Sequence, residues 1–129
     1  MINDQIAKIR LAYRAKAEAK RDDVQSFVDH WKKLREMIVF NFKVVEKEFE
    51  NDEDLFFYAD FDGESVALSS GIINDVSILK YTPDFVACMV KVEVEVRGVP
   101  QSDWVKISDL SPGDVDCQVR EFVGRALPG

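Results

Sequence analysis

The first 62 residues contain neither glycine nor proline; all six glycines and all four prolines come later. That absence removes the strong helix breakers from half the chain and concentrates turn chemistry in the other half. Histidine and cysteine are almost as scarce, with one His30 and the pair Cys88 and Cys117. Zinc asks for three or four soft or imidazole ligands, so a zinc site is excluded. A Cys–His dyad needs His30 beside one of the thiols, and nothing in the spacing brings them together. No glycine-rich phosphate loop and no serine in a nucleophile elbow occurs. No apolar stretch approaches the roughly 20 residues of a membrane span. The opening MINDQIAKIRLAYR has no apolar core of secretory type, and neither end carries a lipidation signal. The expectation is a soluble, cytoplasmic protein with reduced thiols, one of them packed in the core.

YADFDGESVAL, residues 58 to 68, is the one stretch that resembles a cation loop. With Gly63 at the sixth place of a calcium loop, Tyr58 stands first and Ser69 last, so the opening and closing carboxylates are missing. Asp62 and Gly63 instead read as a two-residue type I′ hairpin turn flanked by Phe61 and Glu64. Phe57, Ala59 and Phe61 then share one strand face, and Phe56, Tyr58 and Asp60 the other.

What the chain does have is charge, unevenly placed. Residues 1–50 hold 11 Lys/Arg against 9 Asp/Glu, and residues 51–129 hold 6 against 15, balances of +2 and −9 within a net −7. From Gln5 to Arg21 there are six basic residues and only Glu18 to oppose them. A basic arm on an acidic body steers partners, or lets one subunit's arm lie on another's body. The overall acidity argues against nucleic-acid binding, although Tyr13 among basic residues is a stacking candidate.

Helical periodicity dominates the first half. At about 100° per residue, Ile2, Ile6, Ile9, Tyr13 and Ala17 form one stripe. Val24, Phe27, Trp31, Leu34, Ile38, Phe42, Val45 and Phe49 continue it in phase, across a polar interruption at Lys20, Arg21, Asp22 and Asp23. Ala7, Ala12, Ala15, Ala17 and Ala19 favour helix. One such helix runs about 70 Å, against a radius of gyration of about 14 Å for a compact chain of this length. Either it bends near Asp22 and Asp23, or residues 1–21 form a projecting helical arm whose stripe needs a partner. Residues 37–45, MIVFNFKVV, are apolar all round the helical wheel, as in a buried central helix. They also alternate like a strand, and helix is favoured because EKEFEN continues in helical style.

The remainder reads as an antiparallel meander of four to five strands: 55–61, 65–73, 74–81, a break at Pro83, 85–97, and 104–108. Ser69, Ser70 and Gly71 suggest a bulge. In the fourth strand Val86, Cys88, Val90, Val92, Val94 and Val96 point one way. A short C-terminal helix follows, capped by Ser111, Pro112 and Asp114 and stapled by Leu110 and Val115. Val115, Val119, Phe122, Val123 and Ala126 face inward, and Leu127, Pro128 and Gly129 end it. The fold class is α+β: a long N-terminal helix or helix pair packed on an antiparallel meander, in one domain spanning residues 1–129.

These features point to a non-enzymatic protein-binding module, a small acidic adaptor, chaperone-like factor or inhibitor. It self-associates, as a homodimer, through Ile2, Ile6, Ile9, Tyr13, Phe27 and Trp31. It needs no cofactor or metal, and its partner is another protein rather than nucleic acid or membrane. The alternative is a small-molecule-binding or catalytic domain, with Phe56, Tyr58, Phe85 and Met89 lining an apolar pocket and His30 or Asp60 as its polar group.

Overall fold

The computed structural model describes residues 1–72 and 75–127. Helix α1, Ile2–Glu48, is one unbroken helix of 47 residues. It carries straight through Asp22 and Asp23 and through residues 37–45, so both ambiguities resolve as helix. The expectation that residues 37–45 are buried on every side is corrected. Ile38 and Phe42 are fully buried, whereas Phe40 and Val44 are 66% and 51% exposed. A strand would have placed all four on one face; the 3.6-residue turn separates them. After α1 the Asp52 carboxylate accepts bonds from the N–H groups of Asp54 and Leu55, which turns the chain into the sheet.

Five strands follow: β1 Phe56–Asp60, β2 Val66–Ile72, β3 Asp75–Asp84, β4 Met89–Val96 and β5 Val99–Lys106. They form an antiparallel sheet in the order β1-β2-β3-β4-β5, and a 3₁₀ turn, Ile107–Asp109, leads to α2, Pro112–Ala126. The arrangement is the expected α+β one, with the fifth strand at Val99–Lys106 rather than 104–108, since Ile107 and Ser108 belong to the 3₁₀ turn. Register puts Phe57 and Ala59, Val66 and Leu68, Leu79 and Tyr81, and Val90 and Val92 on one face. Both helices cover that face. Trp31, Ile38 and Phe42 of α1 and Val115, Val119 and Phe122 of α2 fill the space over it. The Tyr81 hydroxyl meets Gln118 Oε1 of α2 at 2.5 Å, tying the centre of the sheet to the second helix. Burial pushes the Tyr81 phenol pKa well up from its ordinary value.

The α2 cap forms as its residues demand. Asp114 N–H donates to Ser111 Oγ, Ser111 N–H donates to the Asp114 carboxylate, and Leu110 and Val115 are both buried. These bonds hold the exposed Asp114 carboxyl below its ordinary pKa.

Turns depart most from expectation. Residues 62 and 63 do not make a type I′ turn: Asp60 pairs with Ala67, so residues 61–66 lie between the last paired positions. Ser65 N–H bonds the Asp62 carbonyl, and Gly63 alone has positive φ there (+60°). The two-residue I′ hairpin lies instead between β4 and β5, where Arg97 and Gly98 have φ of 51° and 78° and Val96 pairs with Val99.

Pro83 does not break the chain, because β3 runs past the start of β2 and at Pro83 pairs only with Val90 of β4. Register alternation turns the missing N–H towards the vacant side, where it costs no ladder bond. Residues 85–88 form the next hairpin loop, closed by the Asp84 carboxylate on the N–H groups of Val86 and Ala87 and by Cys88 in the left-handed region (φ 55°). Val86 and Cys88 are therefore not strand residues, and Val86 is exposed. Ser69, Ser70 and Gly71 pair in step with β1 and make no bulge. The expected junction at Ile73 and Asn74, and the end at Pro128 and Gly129, lie outside the described residues.

The β1 edge is guarded by α1. Its alternation leaves the Ala59 N–H facing outward, and Glu46 Oε2 accepts it at 2.7 Å. Phe49 packs on Phe57 beside it, with ring centroids 4.7 Å apart.

Candidate protein-interaction surface

The apolar stripe of α1 divides at residue 24. From Phe27 onward it is core: Phe27, Trp31, Leu34, Ile38 and Phe42 are at most 5% exposed. Before it, Ile2, Ile6, Ile9 and Tyr13 are 56–71% exposed, and only Ala17 and Val24 are half-buried. Of the six residues expected to bind a partner, the structure brings Ile2, Ile6, Ile9 and Tyr13 together on one exposed line. It assigns Phe27 and Trp31 to the intramolecular core. The Phe27 ring meets Phe85 edge-on at 5.7 Å, and Trp31 is fully buried. Periodicity cannot separate the two groups, because it gives the face of a helix and not what covers that face.

Basic side chains border the exposed half. At about 100° per residue, Arg10, Arg14 and Arg21 fall within about 40° of one another on one flank. Lys16 and Lys20 stand on the stripe itself, exposed. Long cationic side chains lie along apolar surface with their heads in water, so they do not spoil it as a contact.

The second uncovered surface is the sheet face turned away from the helices. Phe56, Tyr58, Val76 and Trp104 on it are 47–53% exposed. Phe56 lies across its pair Gly71, where a Cβ would stand 2.3 Å from the ring, and stacks on Tyr58 with centroids 6.0 Å apart. The Lys91 ammonium sits 5.8 Å from the Trp104 ring centroid. The sequence showed the alternation that creates this face, but alternation does not say which faces receive a helix.

The residues of the alternative pocket are not gathered. Phe56 and Tyr58 are on the edge strand β1, and Met89 is on β4, three strand spacings or about 14 Å away in the sheet. Phe85 belongs to the loop against Phe27, on the helix side. His30 and Asp60 are exposed, His30 in a shallow depression with Lys33, Leu34, Met37 and Pro112. Among the described residues no group of three or more His, Cys, Asp or Glu could hold a metal ion, and no helix is long and apolar enough to cross a membrane. Both thiols are unpaired; Cys88 is half-buried and Cys117 exposed, so the expected core thiol is only partly covered. Two buried donors, Trp31 Nε1 and Arg35 Nε, have no partner among the described residues. No family model matches the chain, and no curated protein or solved structure is similar to it.

Proposed function

We propose that this chain is a non-enzymatic protein-binding module, an acidic adaptor, chaperone-like factor or inhibitor of the cytoplasm, that self-associates through its N-terminal helix. One observation carries the proposal: four large apolar side chains lie uncovered, in phase, on a helix continuous with the core. Isolated exposed apolar residues are ordinary, but a contiguous line bordered by charge marks a contact surface. The helix is anchored by five buried residues at its other half, so the exposed half is presented already formed. A partner need not supply the ordering entropy of a disordered segment. The unpaired thiols fit a reducing compartment.

The test is mass in solution. At high micromolar concentration, light scattering should give twice the 14.7 kDa of the chain, and an Ile6→Asp, Ile9→Asp double variant should give the single mass. A wild-type chain that is monomeric under those conditions refutes the proposal.

A further inference from the structure

The chain leaves two surfaces uncovered, the stripe on residues 2–24 of α1 and the open face of the sheet, and the phase of α1 relates them. Ile2, Ile6, Ile9 and Tyr13 project from the same side of the helix as the residues that hold its own sheet. Whatever covers the stripe therefore lies in the same layer as that sheet, just beyond one end of it. Which end is fixed by contacts. α1 runs antiparallel to β1, with Phe49 on Phe57, Glu46 on Ala59 and Arg35 Nη2 on the Gly63 carbonyl. It then passes Phe85 at Phe27 and leaves the sheet at the end that carries loops 61–65 and 85–88.

We infer that the occupant is the sheet of a second copy of this chain. That copy is turned over about a two-fold axis in the plane of the layer, so its open face meets the stripe. Its own stripe, running antiparallel on the other side, then crosses the open face of the first sheet. The inference rests on the self-association proposed above and names what the arm touches.

Lengths agree with this arrangement. Residues 2–24 and 27–48 each span about 32 Å, and strands of 8–10 residues span about 27–34 Å, so one α1 is long enough for two sheets end to end. Charge agrees as well. The arm, residues 2–24, holds six basic residues against four acidic, six against one between Gln5 and Arg21, and it lies on a body of balance −9. The polar interruption at Lys20, Arg21, Asp22 and Asp23 falls where the second copy brings its loop end, so no apolar side chain of the stripe is spent on that polar junction. A simple arm-to-arm pair does neither. It leaves Phe56, Tyr58, Val76 and Trp104 bare. Antiparallel two-fold pairing of the arms also sets like flank against like flank, so the Arg10 and Arg14 side of one copy faces the same side of the other.

Two surface variants and their mixture decide it. Ile6→Asp, Ile9→Asp spoils the arm; Tyr58→Lys, Val76→Lys spoils the open face and adds charge of the arm's own sign. All four positions are 47–69% exposed, and circular dichroism with thermal melting confirms that each variant is folded. Each alone should associate at least tenfold more weakly than wild type. Mixed one to one, they should form a dimer with one chain of each kind, seen by native mass spectrometry. In that dimer the intact stripe of the lysine variant meets the intact face of the aspartate variant, and the second contact sets aspartate against lysine. A face variant that dimerises as tightly as wild type overturns the inference and leaves self-association standing. A mixture that stays monomeric overturns it too. A monomeric wild type instead removes the underlying proposal.

Discussion

Removing the Glu46 carboxylate should loosen β1 before it loosens anything else. Glu46 is half-buried on α1 and accepts the outward Ala59 N–H at 2.7 Å, a bond no neighbouring strand can replace because β1 is the edge. Hydrogen bonds to a charged acceptor are worth about 1.5–3 kcal/mol, and partial exposure of Glu46 places this one near the lower bound, about 1.5 kcal/mol. Glu46→Ala should therefore lower the unfolding free energy by about 1–2 kcal/mol, with the dependence on urea unchanged. Glu46→Gln keeps an acceptor without the charge and should recover about half of that loss. Hydrogen exchange gives the sharper readout. The Ala59 amide should exchange faster in both variants relative to the Tyr58 amide, which faces β2. A bare edge N–H also invites strand addition, so the alanine variant should aggregate sooner when concentrated. Unchanged exchange at Ala59, together with a stability change under about 0.3 kcal/mol, would refute the assignment of Glu46 as the guard of this edge.

Two further outcomes follow from single residues. Burial raises the folded-state pKa of Tyr81. The stability it lends is therefore fully present below the unfolded phenol's pKa, near pH 10, and is lost as pH rises beyond it, by about 1.4 kcal/mol per unit until the folded value is reached. Tyr81→Phe should start less stable at pH 8 by about 1 kcal/mol through loss of the bond to Gln118. It should then lose stability less steeply than wild type between pH 10 and about 11.5, and parallel alkaline curves in urea titrations would contradict this. Gly98 has φ of +78° in the turn between β4 and β5, so Gly98→Ala should cost about 1–2 kcal/mol in the same assay; a cost under about 0.3 kcal/mol would show that the turn relaxes without it.

The helices were legible in the sequence because their signals are redundant. Thirteen apolar positions in phase from Ile2 to Phe49 cannot be produced by another element, and Ser111 with Asp114 specifies the start of α2 through two bonds that both form. The hairpins were less legible because alternation fixes which side a residue faces but not its pairing. A type I′ turn at Asp62 and Gly63 would pair Phe56 with Ser69; the observed register, two residues over, keeps every side chain on the same face and pairs Phe56 with Gly71. Glycine leaves room for the Phe56 ring to lie there, and the turn preference of one dipeptide does not by itself set the register. Pro83 misled for a related reason. Whether a strand tolerates proline depends on whether a neighbour stands on its N–H side, and that depends on how far β2 extends. At the candidate surface, the four exposed stripe residues were legible, and their separation from Phe27 and Trp31 was not, since the helix continues unchanged where the sheet ends.

The energetics of the stripe bear on why one surface is insufficient. Burying a large apolar side chain contributes about 1.5–3 kcal/mol, and Ile2, Ile6, Ile9 and Tyr13 are still roughly two-thirds exposed, so each retains about 1–2 kcal/mol to gain. Four such residues on each of two chains amount to about 8–16 kcal/mol gross, against an association cost of about 4–15 kcal/mol. A dimer that buries the stripes only against each other therefore lies close to break-even. Setting each stripe on an open sheet face instead buries a different apolar set with it: Phe56, Tyr58, Val76 and Trp104, each about half exposed. That brings the contact towards the roughly 800 Å² per partner of a stable interface and removes both uncovered surfaces at once. The proposed dimer also gives the unbroken phase of α1 a use, because a helix serving two sheets in one layer must show the same face to both.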